Sequence, residues 1–152
     1  MIAPTPGLDP ALEQVYRSAV YEIDCGDGRL IRRQIDRIDA QADAVLGQCG
    51  CQRSWSIVTP CNPHSVALDA AENRRRLLIM RADLLTAAWH FLDAVNYPAT
   101  GISSSDWIEP GFCILDQEPE QILGLAVRYQ QNAVVFGRLG DAPHLLAVDF
   151  KI

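Results

Sequence analysis

The densest run of side chains with chemistry to offer is Thr59-Pro60-Cys61-Asn62-Pro63-His64-Ser65. It holds two hydroxyls, a thiol, an amide and an imidazole among its prolines. Pro63 biases Asn62 toward an extended backbone, from which the amide can be presented rigidly to a ligand. Asn62 and Ser65 could equally close a turn by bonding their own backbone. Cys61 and His64 are near enough in sequence to form a thiol–imidazole pair, but the only activator in view is the N-terminus of the next helix. Cys49-Gly50-Cys51 supplies two more thiols that, with Cys61 and His64, could ligate zinc or copper. No second Cys-x-x-Cys or His-x-x-x-His completes a four-ligand set. Reduced thiols beside a strand are the simpler reading, and no metal or cofactor is expected. His90 and His144 adjoin predicted strands and are read as structural. P-loop, Gly-x-Gly-x-x-Gly, Gly-x-Ser-x-Gly and His-Glu-x-x-His signatures are all missing.

Charge on the following helix is the second feature. Asp69 is a suitable N-cap, with Glu72 at N3, for a helix over about 70–89. At about 100° per residue, Leu77, Leu78, Leu84, Leu85 and Ala88 share one arc. Arg74 and Arg81 fall inside that arc, while Arg75 and Arg76 project toward solvent. An unpaired guanidinium on a core face costs several kcal/mol. Each therefore has to meet an internal carboxylate, snorkel to an edge, or receive an anion from outside. Arg74, in the first turns, is the better placed to hold a carboxylate or phosphate beside the Pro60–Ser65 loop.

The elements that must position these groups are readable by pattern. Asp9-Pro10 opens a short helix, with Asp at N-cap and Pro at N1. Residues 19–24 alternate, Gly26-Asp27-Gly28 turns, and 29–33 returns as the second arm of a hairpin. A helix over 38–46 ends at Gly47, and 55–59 reads as an interior strand. After the long helix come strands at 91–95 and 112–115, separated by a polar loop over 96–106. Pro119 opens a helix with Ile122, Leu123, Ala126 and Tyr129 in a stripe and Asn132 as its C-terminal cap. A terminal hairpin spans 133–137 and 145–150 around Gly140-Asp141-Ala142-Pro143. The order α-β-β-α-β-α-β-β-α-β-β lacks strict βα alternation. It predicts a single α+β domain, a mixed and largely antiparallel sheet with helices packed against it, over 9–152 behind a flexible segment 1–8.

Composition narrows the function classes. At 152 residues and 49% hydrophobic, the chain has apolar surface enough for one globular core, which excludes general disorder. A net charge of -6 argues against a nucleic-acid or anionic-membrane partner. No apolar run reaches the length of a membrane span. The N-terminus has no secretory pattern, and five cysteines are an odd count for a disulfide framework, so the expected compartment is cytoplasmic.

Three separated segments carry a resemblance. They are Trp55 to Ser65, Glu72-Asn73-Arg74-Arg75-Arg76, and Gln131-Asn132-Ala133-Val134-Val135-Phe136-Gly137. Together they resemble a family of small bacterial proteins classed as a domain of unknown function, with I-T-A-x-N-P-x-S, E-N-x-x-x and Q-N-A-I-V-x-G motifs in that order. Pro60 stands where the family usually has Ala. The resemblance implies no reaction, but it marks Thr59, Asn62, Pro63, Ser65, Glu72, Asn73, Arg74, Gln131 and Asn132 as positions to watch. The leading expectation is a binding module for an anionic small molecule or a protein partner, through the Asn62 loop and Arg74. The alternatives are an enzyme acting on a small polar substrate, and an assembly protein pairing through the edge left by residues 145–150.

Overall fold

The computed structural model describes residues 5–99 and 107–150. The remainder of the 1–8 segment and of the 96–106 loop lies outside the described residues. Helix α1 spans Pro10–Ser18, with the Asp9 carboxylate accepting from the Ala11 and Leu12 amides. Strands β1 (Val20–Asp24) and β2 (Leu30–Arg33) form the first hairpin, followed by α2 (Ala40–Gln48) and β3 (Ser54–Val58). A single 3-10 turn, Pro63–Ser65, leads to α3 (Ala70–Thr86), capped by Asp69 accepting from the Glu72 amide. Strands β4 (Phe91–Tyr97) and β5 (Glu109–Leu115), helix α4 (Pro119–Arg128), and strands β6 (Ala133–Arg138) and β7 (His144–Ala147) complete the chain. This is the element order read from the sequence.

The seven strands make one sheet in the order β2-β1-β4-β5-β3-β6-β7. Every described pairing is antiparallel, so the sheet is not mixed. Short connections explain this for β1–β2, β4–β5 and β6–β7, which have no room for the crossover a parallel pair needs. The pairs β1–β4, β3–β5 and β3–β6 are joined through intervening elements that bring the chain back in the opposite direction. β3 lies inside the sheet, all five of its residues buried. Alternation along the strands splits the core in two. Tyr21, Ile23, Trp55, Ile57, Cys113 and Val135 face α1 and α2. Val58, Phe112, Ile114 and Val134 meet Met80 and Leu84 of α3 and Ile122 and Ala126 of α4 on the other side. The result is a three-layer α+β domain.

Two close approaches depend on glycine. A Cβ on Gly137 would stand 2.4 Å from the Trp55 ring, and one on Gly111 would stand 2.5 Å from the Val58 carbonyl. The first lets the indole lie flat against β6. The second lets the end of β3 press against β5, where the functional loop begins.

Under α2, Arg33 is almost fully buried and gives Nη1 to Asp43 Oδ1 at 2.6 Å. Its guanidinium lies 5.1 Å from the Trp55 ring centre, and Asp43 Oδ2 accepts the Gly140 amide. Breaking one half of such a pair strands the other charge. We expect Asp43→Ala to lower unfolding free energy by about 3–5 kcal/mol in urea titrations, and the double change Arg33→Met, Asp43→Leu to lose much less. Equal losses in both would mean that packing, not charge, holds this corner.

Candidate functional site

The loop after β3 is tied at every residue. Thr59 Oγ1 donates to the Pro110 carbonyl at 2.8 Å and accepts from the Cys61 amide. Asn62 is not extended, as its place before Pro63 predicts. It is left-handed at φ 51°, ψ 61°. His64 and Ser65 also have positive φ, 54° and 59°. Asparagine tolerates this region better than most residues. Its surroundings hold it there. Asn62 Oδ1 accepts from Leu68 N and Asn73 Nδ2, its backbone N–H donates to Asn73 Oδ1, and its Nδ2 donates to Glu109 Oε2 at 2.9 Å. The His64 amide donates to the Gln130 carbonyl at 2.7 Å. Gln131 Nε2 donates to the Cys61 carbonyl and Asn132 Nδ2 to Ser65 Oγ. Asn132 therefore braces the loop. α4 is instead terminated at Tyr129, with Gln130 left-handed after it.

Behind this loop, under α1, is a cavity of about 420 Å3. Ala11, Leu12, Val15 and Tyr16 of α1 form one wall, and Tyr97, Pro98 and Trp107 form another. Asn62, Ser65 and Gln131 close the loop end. Its floor is a row across three strands: Tyr21 of β1 pairs with Asn96 of β4, which pairs with Glu109 of β5. Among the described residues, no Lys, Arg or Asp lines it. Glu109 is the one carboxyl among the described lining residues, and burial pushes it up to about 7 although the Asn62 amide pulls it down. Burial, helped by the Glu109 charge, raises Tyr16 to about 12 and Tyr21 well above its ordinary value. Asn96 Oδ1 is buried without a hydrogen-bond partner. Such an orphan costs about 1–3 kcal/mol.

The residues named from sequence divide into two groups. Thr59, Asn62, Ser65, Asn73, Gln131 and Asn132 come together as one hydrogen-bonded network, with Pro63 beginning the 3-10 turn. Glu72 and Arg74 stand apart. Glu72 pairs with Arg75 on the surface at 2.6 Å. Arg74 is exposed and borders a smaller cavity of about 300 Å3 with Asn73, Cys61, Leu68 and Ile108. The wheel reading of α3 is corrected here. Its buried face runs through Met80 and Leu84, while Leu78 and Leu85 are 62% and 64% exposed. Arg81 is exposed too, paired with Asp93 at 2.9 Å and 5.5 Å from the Phe91 ring centre. The inward arginine is Arg76, expected in solvent. It donates to the Pro60 and Tyr129 carbonyls at 2.6 Å each. α3 has apolar residues on two faces: Leu77 and Leu84 of the expected arc turn into the core, while Leu78 and Leu85 do not.

The thiol chemistry does not assemble. Cys61 is buried beside the Pro110 carbonyl, its thiol raised mainly by burial. His64 is exposed, its ring 5.1 Å from that of Phe150. Cys51 donates to the Ser54 carbonyl, while Cys49 lies near Cys25 and Arg29. Among the described residues, no group of three His, Cys, Asp or Glu side chains is placed to hold a metal ion. Sequence reasoning missed Glu109, Asn96, Tyr16 and Trp107. Only the strand pairing brings the first two together, and α1 and β1 lie far from the loop in sequence.

A three-layer antiparallel domain with a braced asparagine loop over a walled cavity is what fold and site define. A family model described as a protein of unknown function, DUF3293, matches residues 58–134, just over half of the chain, and the chain belongs to that family. The matched stretch runs from the end of β3 to the start of β6. It carries the loop, Asn96, Glu109 and Gln131, whereas α1 and β1 fall outside it. No curated protein and no solved structure matches the chain.

A carboxyl that ionises near 7 when folded and near its usual 4.5 when unfolded holds its proton more tightly in the folded chain. The stability this contributes is complete below the unfolded value and is lost as pH rises through the folded one, by up to ~3 kcal/mol. Glu109→Gln keeps an acceptor for Asn62 but cannot ionise. We expect it to match the native protein in urea at pH 4 and to exceed it at pH 8.5. A parallel offset at both pH values would show that Glu109 ionises normally.

Proposed function

We propose that the chain is a small-molecule binding domain whose ligand occupies the cavity beneath α1. The observation that carries this reading is the make-up of the wall: aromatic and aliphatic side chains around about 420 Å3, with a few convergent polar groups at one end. That size and balance suit a small ligand held by its body and oriented by its polar atoms. The anionic ligand expected from Arg74 fits this space poorly, because no described lining residue is cationic. Its remaining place is the smaller cavity that Arg74 borders. An enzyme acting on a small polar substrate is a second reading, favoured by Glu109, whose carboxyl changes charge near neutrality inside the cavity. Among the described residues no helix is long and apolar enough to cross a membrane. The sheet edges are β2 and β7, and β7 is only four residues long with Leu145 buried, which leaves little edge for assembly.

A thermal-shift survey of metabolites tests the reading. Ligand at a hundred times its Kd adds about 2.7 kcal/mol, which at this chain length moves Tm by roughly 5–10 °C. Hits are expected to lose their effect in Ala11→Trp, where an indole from the exposed side of α1 fills the cavity. Hits that survive Ala11→Trp but disappear in Arg74→Ala would overturn the assignment and move the ligand to the smaller cavity. Turnover of a hit that vanishes in Glu109→Gln while binding persists would establish the enzyme reading.

A further inference from the structure

We infer that the ligand of this cavity is an organic cation, a protonated amine carried on an apolar or aromatic body. The inference rests on the cavity being the binding site and adds the chemical class. Among the described lining residues, four aromatic side chains, Tyr16, Tyr21, Tyr97 and Trp107, stand with one carboxyl, Glu109, and with no Arg or Lys. A cation among aromatic rings is stabilised by their quadrupoles, more so when desolvated. Glu109 sits in the floor row beside Asn96, the apolar wall of α1 opposite the sheet. Among the described residues, Asn62 Nδ2 is the one donor to Glu109, on Oε2. A carboxylate in such surroundings is short of positive charge, and an ammonium group supplies it with a charge-assisted hydrogen bond. An anion would meet the same carboxylate with repulsion. The net charge of -6 works in the same direction at long range.

The groups facing Glu109 let pH report on it. From α1 and β1 these are Tyr16 and Tyr21, both raised above their ordinary values chiefly by burial. From the loop it is Cys61, also raised by burial, and from β4 it is Tyr97. The raised Tyr16, Tyr21 and Cys61 stay neutral between pH 6 and 8, so among these groups the change of charge there is that of Glu109.

The probes are phenethylamine, 2-phenylethanol and 3-phenylpropanoate, matched in body and differing in charge, titrated by calorimetry against the full chain. The amine is expected to bind tightest and to gain about tenfold in affinity from pH 6 to pH 8, as a carboxyl titrating near 7 goes from mostly neutral to mostly ionised. In Glu109→Gln the amine should lose that pH dependence and about tenfold in affinity at pH 8, with the alcohol unchanged. The native pH profile is a test independent of how the variant folds. Equal binding of amine and alcohol at both pH values, or tightest binding of the propanoate, overturns the cation and leaves the cavity standing. If none of the three binds, or if binding is unaffected by Ala11→Trp, the cation and the cavity fall together.

Discussion

One amide holds the site together. Through its side chain and its backbone N–H, Asn62 bonds Leu68 ahead of α3, Asn73 within α3 and Glu109 at the start of β5. These bonds meet only because Asn62 is left-handed, which turns its side chain inward and leaves His64 and Ser65 with positive φ beside it. A residue with a shorter or apolar side chain would give up the bonds that offset this backbone cost. The reciprocal pairing of Asn62 with Asn73 also sets where α3 begins relative to the sheet. The loop, the helix and the carboxyl are thus one mechanical unit.

That unit sits at the end of the sheet where both faces are within reach. α3 and α4 lie on one face, with Arg76 tying the Pro60 carbonyl to the C-terminal carbonyl of α4 at Tyr129. The cavity lies on the other, under α1. Gly111 makes the crossing possible by letting Val58 and Thr59 approach β5 without a side chain between them. The Tyr129 carbonyl at the end of α4, which a helix cannot satisfy internally, accepts from both the guanidinium of Arg76 and the side-chain amide of Gln131. The loop is therefore braced from the layer that does not carry the cavity, and no Arg or Lys is among the described residues that line the cavity.

How much of this was legible in the sequence follows from how local each signal is. Helix starts at Asp9 and Asp69, the turn at Gly26–Gly28 and the strand alternation are set by neighbours, and they read correctly. The loop residues were recognisable by type, and Thr59, Asn62, Ser65, Asn73, Gln131 and Asn132 do meet. The backbone of Asn62 was not legible, since the bias imposed by Pro63 is overridden by partners up to 47 positions away. The face of α3 was ambiguous because Leu78 and Leu85 are as apolar as Met80 and Leu84. Glu109 carried no local mark at all. It became visible only when the register of β4 on β5 set it beside Asn96, and that of β1 on β4 set Asn96 beside Tyr21.

Several of the costs in this fold meet where the cavity is. Asn62, His64 and Ser65 with positive φ, a carboxyl raised toward neutrality and an amide oxygen without a partner all lie within one row of the sheet and the loop beside it. A hydrophobic residue at Glu109 would remove the raised carboxyl, and one at Asn96 the orphaned oxygen. Elsewhere some costs are offset, as where Arg33 finds Asp43 and where Asp116, itself left-handed, takes three backbone amides from residues 52–54, while others persist, as at Trp55 Nε1, Ser56 Oγ and left-handed Ala88. What sets the cavity apart is that strain, a raised carboxyl and an orphaned amide oxygen meet beside one space that a ligand could enter. A carboxyl that destabilises the empty protein when ionised is stabilised once a positive group arrives, so the same placement that costs free energy without ligand returns it on binding.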